Sequence, residues 1–128
     1  MLPQASWLIS LDLSYVEKRL IDRLRWEPTD AKEAVRRYKN FLLLLLKHPR
    51  KTLAPAPDMD EAWHAHILFT REYTRDSERI FGGYLHHSPA QDGDGKIMEE
   101  AQSQTAALYI EEFQEPFYLE LDVSSFWE

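Results

Sequence analysis

The 128-residue chain is long enough for one domain with a real core, and its 44% hydrophobic and 12% aromatic residues are typical of a globular protein. Its net charge of -7 argues against nonspecific attraction to nucleic acid or to an anionic membrane surface. The absence of cysteine excludes disulfides, thiolate metal ligands and cysteine nucleophiles, and is consistent with a reducing compartment.

Charge is unevenly distributed along the chain. Residues 1–54 contain 11 Lys/Arg against 6 Asp/Glu, a balance of +5, whereas residues 55–128 contain 4 against 16, a balance of -12. A basic half that packs against an acidic half explains this pattern, as does a basic docking face for an acidic partner. The longest apolar run, 41–46, is far shorter than the ~20 residues of a membrane span. No basic segment precedes the apolar patch at 7–9, so we expect no signal peptide and a cytoplasmic location.

The first predicted elements are an arm over residues 1–13 and a helix over about 14–25. Ser14 is a candidate N-cap, and Glu17 three residues later would complete a capping box. The helical spacing is carried by three apolar residues, Val16, Leu20 and Leu24.

A second helix is predicted over 29–48, with Thr29 as N-cap and Lys47 and His48 at its end. The run Leu42–Leu46 is apolar on every side of this helix. Such a run indicates either a central core helix or a surface that meets a partner, which would make a homodimer.

A third helix is predicted over 58–81, with Asp58 as N-cap, Glu61 three residues later and Gly82 just after its end. The stiff segment 54–57 (Ala-Pro-Ala-Pro) delivers the chain to this helix along a defined path. As one straight helix, it would place Asp60 about 33 Å from Gly82.

Residues 91–95 form a polar turn that lacks the acidic spacing of a calcium-binding loop. A fourth helix is predicted over about 96–114, stopped by Pro116, and residues 117–123 alternate like a short strand. The sequence therefore predicts one all-α domain, 1–128, with four main helices in an antiparallel or orthogonal bundle, an N-terminal arm and an irregular C-terminal tail.

Four of the five histidines lie in two short places, at positions 64 and 66 and at 86 and 87. Residues two apart in a helix point about 200° away from each other, so His64 and His66 cannot both bind one ion from a regular helix. Asp60 and His64 are four apart and share a face, along which Arg71 roughly follows. His66 is expected to face the packed core.

His86 and His87 follow the far end of the predicted 58–81 rod, too distant for a short loop to return them to Asp60. They can join Asp60 only if that helix is bent or broken near 71–77; otherwise they serve a separate site. The Asp60–His64 spacing is compatible with a metal pair, an aspartate-oriented general base or a capping hydrogen bond.

The segments around these histidines resemble the glycine-rich domain-containing protein-like family, whose hallmarks are Asp-x-x-Trp-His-x-His and Gly-x-x-x-His-His-x-Pro. The matching residues are 57–68, Tyr73, Asp76, 80–82 and 85–89. The resemblance implies an all-helical domain but no settled activity. The positions that it marks are Asp60, His64, His66, His86 and His87. Two departures are Ser77, where the family often has cysteine, and Ala90-Gln91-Asp92, where it often has an aromatic residue and glycine.

Three functional hypotheses follow. The first is a small metal-binding protein or metalloenzyme that uses Zn, Fe, Cu, Mn or Ni, because imidazole and carboxylate without thiolate suit these ions. Its predicted ligands are Asp60, His64, His66, His86 and His87. The second is a protein-interaction module in which the histidines form a structural hydrogen-bond network. The third is a metal-free acid/base enzyme for a small molecule, in which Asp60 orients His64 and Arg71 holds an anionic substrate.

Overall fold

The computed structural model describes residues 3–87 and 95–119, and every regular element within them is an α-helix. Six helices follow one another: α1 Pro3–Ser10, α2 Ser14–Leu24, α3 Pro28–Lys47, α4 Pro57–Leu68, α5 Thr70–Phe81 and α6 Gly95–Phe113. The predicted all-α class is confirmed, but the count of four helices is wrong. The predicted arm contains α1, and the predicted third helix is two helices.

The predicted capping box at the start of α2 is not formed. Leu13 occupies the N-cap position without a side-chain cap, and Asp12 Oδ1 instead accepts a hydrogen bond from the Ser14 backbone N–H at 2.9 Å. That bond lowers the pKa of the Asp12 carboxyl. The side chain that satisfies this helix start thus comes from two residues upstream of the predicted cap.

Helix α3 is the centre of the core. It begins with Pro28 at its first position after Glu27, one residue before the predicted Thr29 cap, as the fixed φ of proline allows. Tyr38 and Phe41 are fully buried. Within the apolar run 42–46, Leu42 and Leu44 are buried, and the other three leucines are partly buried against the same core. The run therefore packs inside its own chain, and a homodimer stays a prediction.

The predicted helix 58–81 breaks at Phe69, where φ is -87° and ψ is 74°. These angles are close to those of an inverse γ-turn, an unstrained conformation that needs neither proline nor glycine. The Phe69 ring packs edge-on against Tyr15, with centroids 4.8 Å apart. Residues ten apart in a straight helix are separated by about 15 Å, yet His66 Nε2 lies 3.0 Å from Asp76 Oδ2. The chain therefore turns at Phe69, and α5 packs against α4.

The start of α4 is held by a buried ion pair and not by the predicted Asp58 cap. Pro57 is the first helical residue, after Ala56, while Asp58 Oδ2 accepts a hydrogen bond from Arg37 Nε at 2.8 Å. Arg37 also donates to the backbone carbonyls of Pro116 and Phe117. A buried guanidinium is tolerated when its donors are satisfied in this way. The pair ties α3, the first turn of α4 and the segment after α6 together.

Helix α6 packs on α3 through Tyr109 and is linked to the segment before α4 by a hydrogen bond of 2.9 Å from the Ala54 backbone N–H to Thr105 Oγ1. The predicted turn at 91–95 lies outside the described residues except for Gly95, the first residue of α6. Most of the predicted 117–123 strand also lies outside them, and residues 117–119 are not a strand. None of the described helices combines the length and apolarity that crossing a membrane requires.

Candidate functional site

Two imidazoles and a carboxylate meet at the surface of the helical domain: Asp60 and His64 from α4, and His87 from the segment after α5. We call these three residues the Asp60 group. One potential ligand atom from each lies within 4.8 Å of the others. Asp60 Oδ1 is 2.7 Å from His87 Nε2, and Asp60 Oδ2 is 3.9 Å from His64 Nδ1. The first distance is a short hydrogen bond, in which His87 donates to the carboxylate, and the second is too long for one.

His87 packs against an aromatic wall, which is the face of the Trp63 indole. Its ring stacks on Trp63, with centroids 3.9 Å apart and planes 9° from parallel, and the His64 ring lies 4.8 Å away on a tilt of 31°. Trp63 is itself buried within the core cluster. The wall thus fixes the plane of the His87 ring while its Nε2 edge faces Asp60.

The three side chains of the Asp60 group differ in their exposure to solvent. The side chain of His87 is 14% exposed, that of Asp60 35% and that of His64 55%. Glu61, next to Asp60, is partly buried, and burial raises the pKa of its carboxyl although His64 opposes the shift. A small ligand can therefore reach the group from the His64 side.

Two features bring His87 back to Asp60 on α4, although the two residues are 27 positions apart in sequence. The first is the break at Phe69, which removes the rod that would have separated the two places. The second is the end of α5, where Gly82 adopts the left-handed conformation with φ 79°, as helix ends commonly require. The Tyr73 hydroxyl then donates a hydrogen bond of 2.6 Å to the Leu85 carbonyl, two residues before His87.

His66 belongs to the predicted ligand set, but it lies apart from the Asp60 group. Its side chain is 1% exposed, with Nε2 3.0 Å from Asp76 Oδ2 and Nδ1 2.8 Å from the Tyr38 hydroxyl. We call Tyr38, His66 and Asp76 the His66 network. Burial raises the pKa of Asp76, but hydrogen bonds from His66 and Arg75 outweigh it, and the net pKa is lowered. The ionised carboxylate accepts from Nε2–H, so both ring nitrogens are used and neither is free for a metal.

The other predicted site residues also lie outside the Asp60 group. His86 is exposed and packs edge-on against Tyr84, with centroids 4.9 Å apart. Arg71 is exposed on α5, in an open groove whose other lining residues are Thr70, Thr74, Arg75 and Glu78. Ser77 is buried in α5, close enough to Tyr73 to lower the pKa of its phenol against the larger, raising effect of burial.

Sequence reasoning missed the part played by Trp63 and Tyr73. Both lie in the third predicted helix, and both are buried. Their hydrogen bond, from Trp63 Nε1 to the Tyr73 hydroxyl at 2.9 Å, joins residues ten apart. It exists only because the helix breaks between them. The signal in the sequence is the residue type, because a buried indole N–H and a buried phenol hydroxyl usually have hydrogen-bond partners.

Comparison with known proteins places the chain in a family. The model of the UCP032817-like family matches residues 11–110, most of the chain. The chain belongs to the UCP032817-like family. Within these limits lie all five positions that the resemblance marks, from Asp60 to His87.

A relative of this UCP032817-like chain is glycine-rich domain-containing protein 1 from Arabidopsis thaliana, which is 34% identical over 87 residues. The alignment covers 63% of this chain and only 11% of the relative, so the chain spans a small part of that protein. No solved structure matches the chain significantly. The resemblance to the glycine-rich domain-containing proteins is thereby supported.

Proposed function

We propose that the chain is a metal-binding protein that holds a divalent transition metal ion between Asp60, His64 and His87. The observation that carries the proposal is the convergence of one oxygen and two ring nitrogens within 4.8 Å, from residues 27 positions apart in sequence. Exposed acidic groups alone often cluster by chance. Two imidazoles beside one carboxylate, with one imidazole stacked on a buried tryptophan, form a more specific arrangement.

The distances fit a metal site after small adjustments. Bonds of roughly 2.0–2.2 Å to histidine nitrogen or carboxylate oxygen put neighbouring tetrahedral ligands roughly 3.4 Å apart. The Asp60–His87 pair at 2.7 Å would open slightly, and the His64 ring, on the most exposed side chain of the three, would move inward. Ligation by His87 Nε2 requires that nitrogen to give up the proton that it donates to Asp60, which a shift of the proton to Nδ1 would allow.

Three protein ligands leave coordination positions for water or a substrate, as in catalytic and not in closed structural sites. The set of two histidines and one carboxylate suits Zn, Fe, Mn, Ni or Cu, and the lack of thiolate disfavours sites for softer ions. Because these positions could bind a substrate, the proposal extends to a metalloenzyme.

A second candidate is metal-free acid/base chemistry, and one observation favours it in an altered form. Asp60 hydrogen-bonds His87 at 2.7 Å but lies 3.9 Å from His64. The carboxylate would then orient His87, and not the predicted His64, as the general base. In this version Arg71 has no contact with the base.

The decisive experiment is metal analysis of protein purified without a histidine tag, followed by calorimetric titration with Zn, Mn, Ni, Cu and anaerobic Fe(II). A bound ion should raise the free energy of unfolding by about 2.7 kcal/mol at a free concentration of 100 Kd.

His86→Ala is the matched control for His87→Ala, because the two histidines are adjacent and only His87 contacts Asp60. We expect His87→Ala to abolish binding and His86→Ala to leave it within about twofold. Absence of binding by the wild-type protein, or equal losses in both variants, would overturn the proposal. A pH–rate profile that persists in chelator and disappears in His87→Ala would favour the second candidate.

A further inference from the structure

We propose that Tyr73 is the positioning residue of the Asp60 group: its hydroxyl sets both the backbone from which His87 projects and the wall on which His87 stacks. The consequence for metal affinity rests on the function proposed above, whereas the consequence for the His87 ring does not.

The Tyr73 hydroxyl makes two bonds that reach the group from different sides. It donates to the Leu85 carbonyl at 2.6 Å and accepts from Trp63 Nε1–H at 2.9 Å. Tyr73 is 2% exposed. Burial raises the pKa of the phenol, so its proton remains available for Leu85 at physiological pH. The bond to Trp63 is buried, and the bond to Leu85 is partly buried.

These two bonds converge on one ring. Leu85 is two residues before His87, so anchoring its carbonyl limits where the His87 backbone can lie. Trp63 is the surface against which the His87 ring stacks at 3.9 Å, and the bond from its indole N–H fixes the orientation of that surface. One oxygen atom thereby determines the position and the plane of the imidazole that donates to Asp60.

Such an anchor matters because the chain between α5 and His87 has no regular structure to hold it. Residues 84 and 86 are exposed, and residues 83, 85 and 87 are partly buried. A ligand on an irregular segment is positioned poorly unless neighbouring groups restrain it, and loss of such restraint typically weakens metal binding roughly 10- to 100-fold.

The test compares Tyr73→Phe with Tyr38→Phe. Both changes remove one buried phenol hydroxyl, but the Tyr38 hydroxyl bonds His66 in the His66 network and not the Asp60 group. In calorimetric titration with Zn, Tyr73→Phe should weaken affinity about tenfold and Tyr38→Phe less than about twofold. Equal losses in the two variants, or none in Tyr73→Phe, would overturn the proposal.

A second readout needs no metal. In the NMR spectrum of the metal-free protein, stacking on Trp63 should shift the His87 ring protons away from the values of a histidine that contacts no aromatic ring. In Tyr73→Phe the His87 resonances should move toward those unshifted values, and in Tyr38→Phe they should stay. Unmoved His87 resonances in Tyr73→Phe would overturn the positioning role. If the wild-type protein binds no metal, this readout still decides the inference while the proposed function fails.

Trp63→Phe provides a further variant that keeps an aromatic wall and the Tyr73–Leu85 bond but removes the indole donor. Its expected loss of Zn affinity is about threefold, smaller than that of Tyr73→Phe. A larger loss of Zn affinity in Trp63→Phe than in Tyr73→Phe would overturn the proposal, because stacking on Trp63 alone would then fix His87. Should Tyr73→Phe not fold, Trp63→Phe with wild-type affinity would overturn the proposal.

Discussion

Two histidine–aspartate pairs in this protein make nearly the same bond in opposite surroundings. His66 lies 3.0 Å from Asp76 with both side chains 1% exposed, and His87 lies 2.7 Å from Asp60 with side chains 14% and 35% exposed. In the His66 network, the second ring nitrogen faces Tyr38. In the Asp60 group, the neighbour is His64, a second potential ligand whose ring is open to solvent.

The difference shows that the residue types alone do not distinguish a structural histidine from one that can bind a ligand. A histidine whose two nitrogens are both bonded inside the core contributes to stability and cannot change partners without leaving buried groups unsatisfied. A histidine bonded to a partly exposed carboxylate can exchange that bond for another. We therefore expect the His66 network to control stability and the Asp60 group to control binding.

The largest expected effect comes from His66→Ala, which leaves the Asp76 carboxylate and the Tyr38 hydroxyl without their shared partner. We expect the free energy of unfolding to fall by about 3 kcal/mol, since breaking buried bonds to a charged group is costly. His64→Ala, at an exposed position of α4, should lower it by less than about 0.5 kcal/mol. Urea denaturation measures both values, and similar losses in the two variants would contradict the comparison.

The aspartates should separate stability from binding. Asp60→Asn should weaken metal affinity more than roughly 10-fold, with little change in stability. A loss of roughly 10-fold is expected when a group bonded to a metal ligand is removed, and Asp60 is itself a proposed ligand. Asp76→Asn should do the opposite: stability falls by about 2 kcal/mol, and affinity for folded protein stays within about twofold. Calorimetry and urea denaturation on both variants provide the four values. Loss of affinity in Asp76→Asn would show that the two sites are coupled.

The smallest effect is a difference in acid sensitivity. Because the pKa of Asp76 is lower in the folded chain, the unfolded chain binds more protons at acidic pH. The stabilisation is fully present above the unfolded pKa of about 3.9 and is lost as pH falls through the lower folded value. Between about pH 5 and pH 2, wild-type stability should therefore fall more steeply than that of Asp76→Asn. Urea denaturation at several pH values measures the free energy of unfolding of both proteins. If the two values fall equally with pH, Asp76 does not contribute to acid unfolding.

Local patterns in the sequence were sufficient to predict the helical class, the Asp60–His64 face and the inward direction of His66. Each depends on the 3.6-residue period of the helix, which operates over a few residues. Boundaries were less certain, because Pro28 and Pro57 begin their helices one residue before the predicted starts. The predicted cap Asp58 instead pairs with Arg37, 21 residues away, a contact that no local pattern indicates.

Tertiary structure alone decided which histidine completes the Asp60 group. Phe69 has no helix-breaking side chain, and the break there is accompanied by long-range packing: its ring on Tyr15, and the bonds of His66 and Trp63 across the bend. That bend removes the about 33 Å that a straight helix would place between Asp60 and the segment after α5. His87 then turns toward Trp63 and Asp60 while His86 faces solvent, because only one of two adjacent side chains can stack on the buried indole.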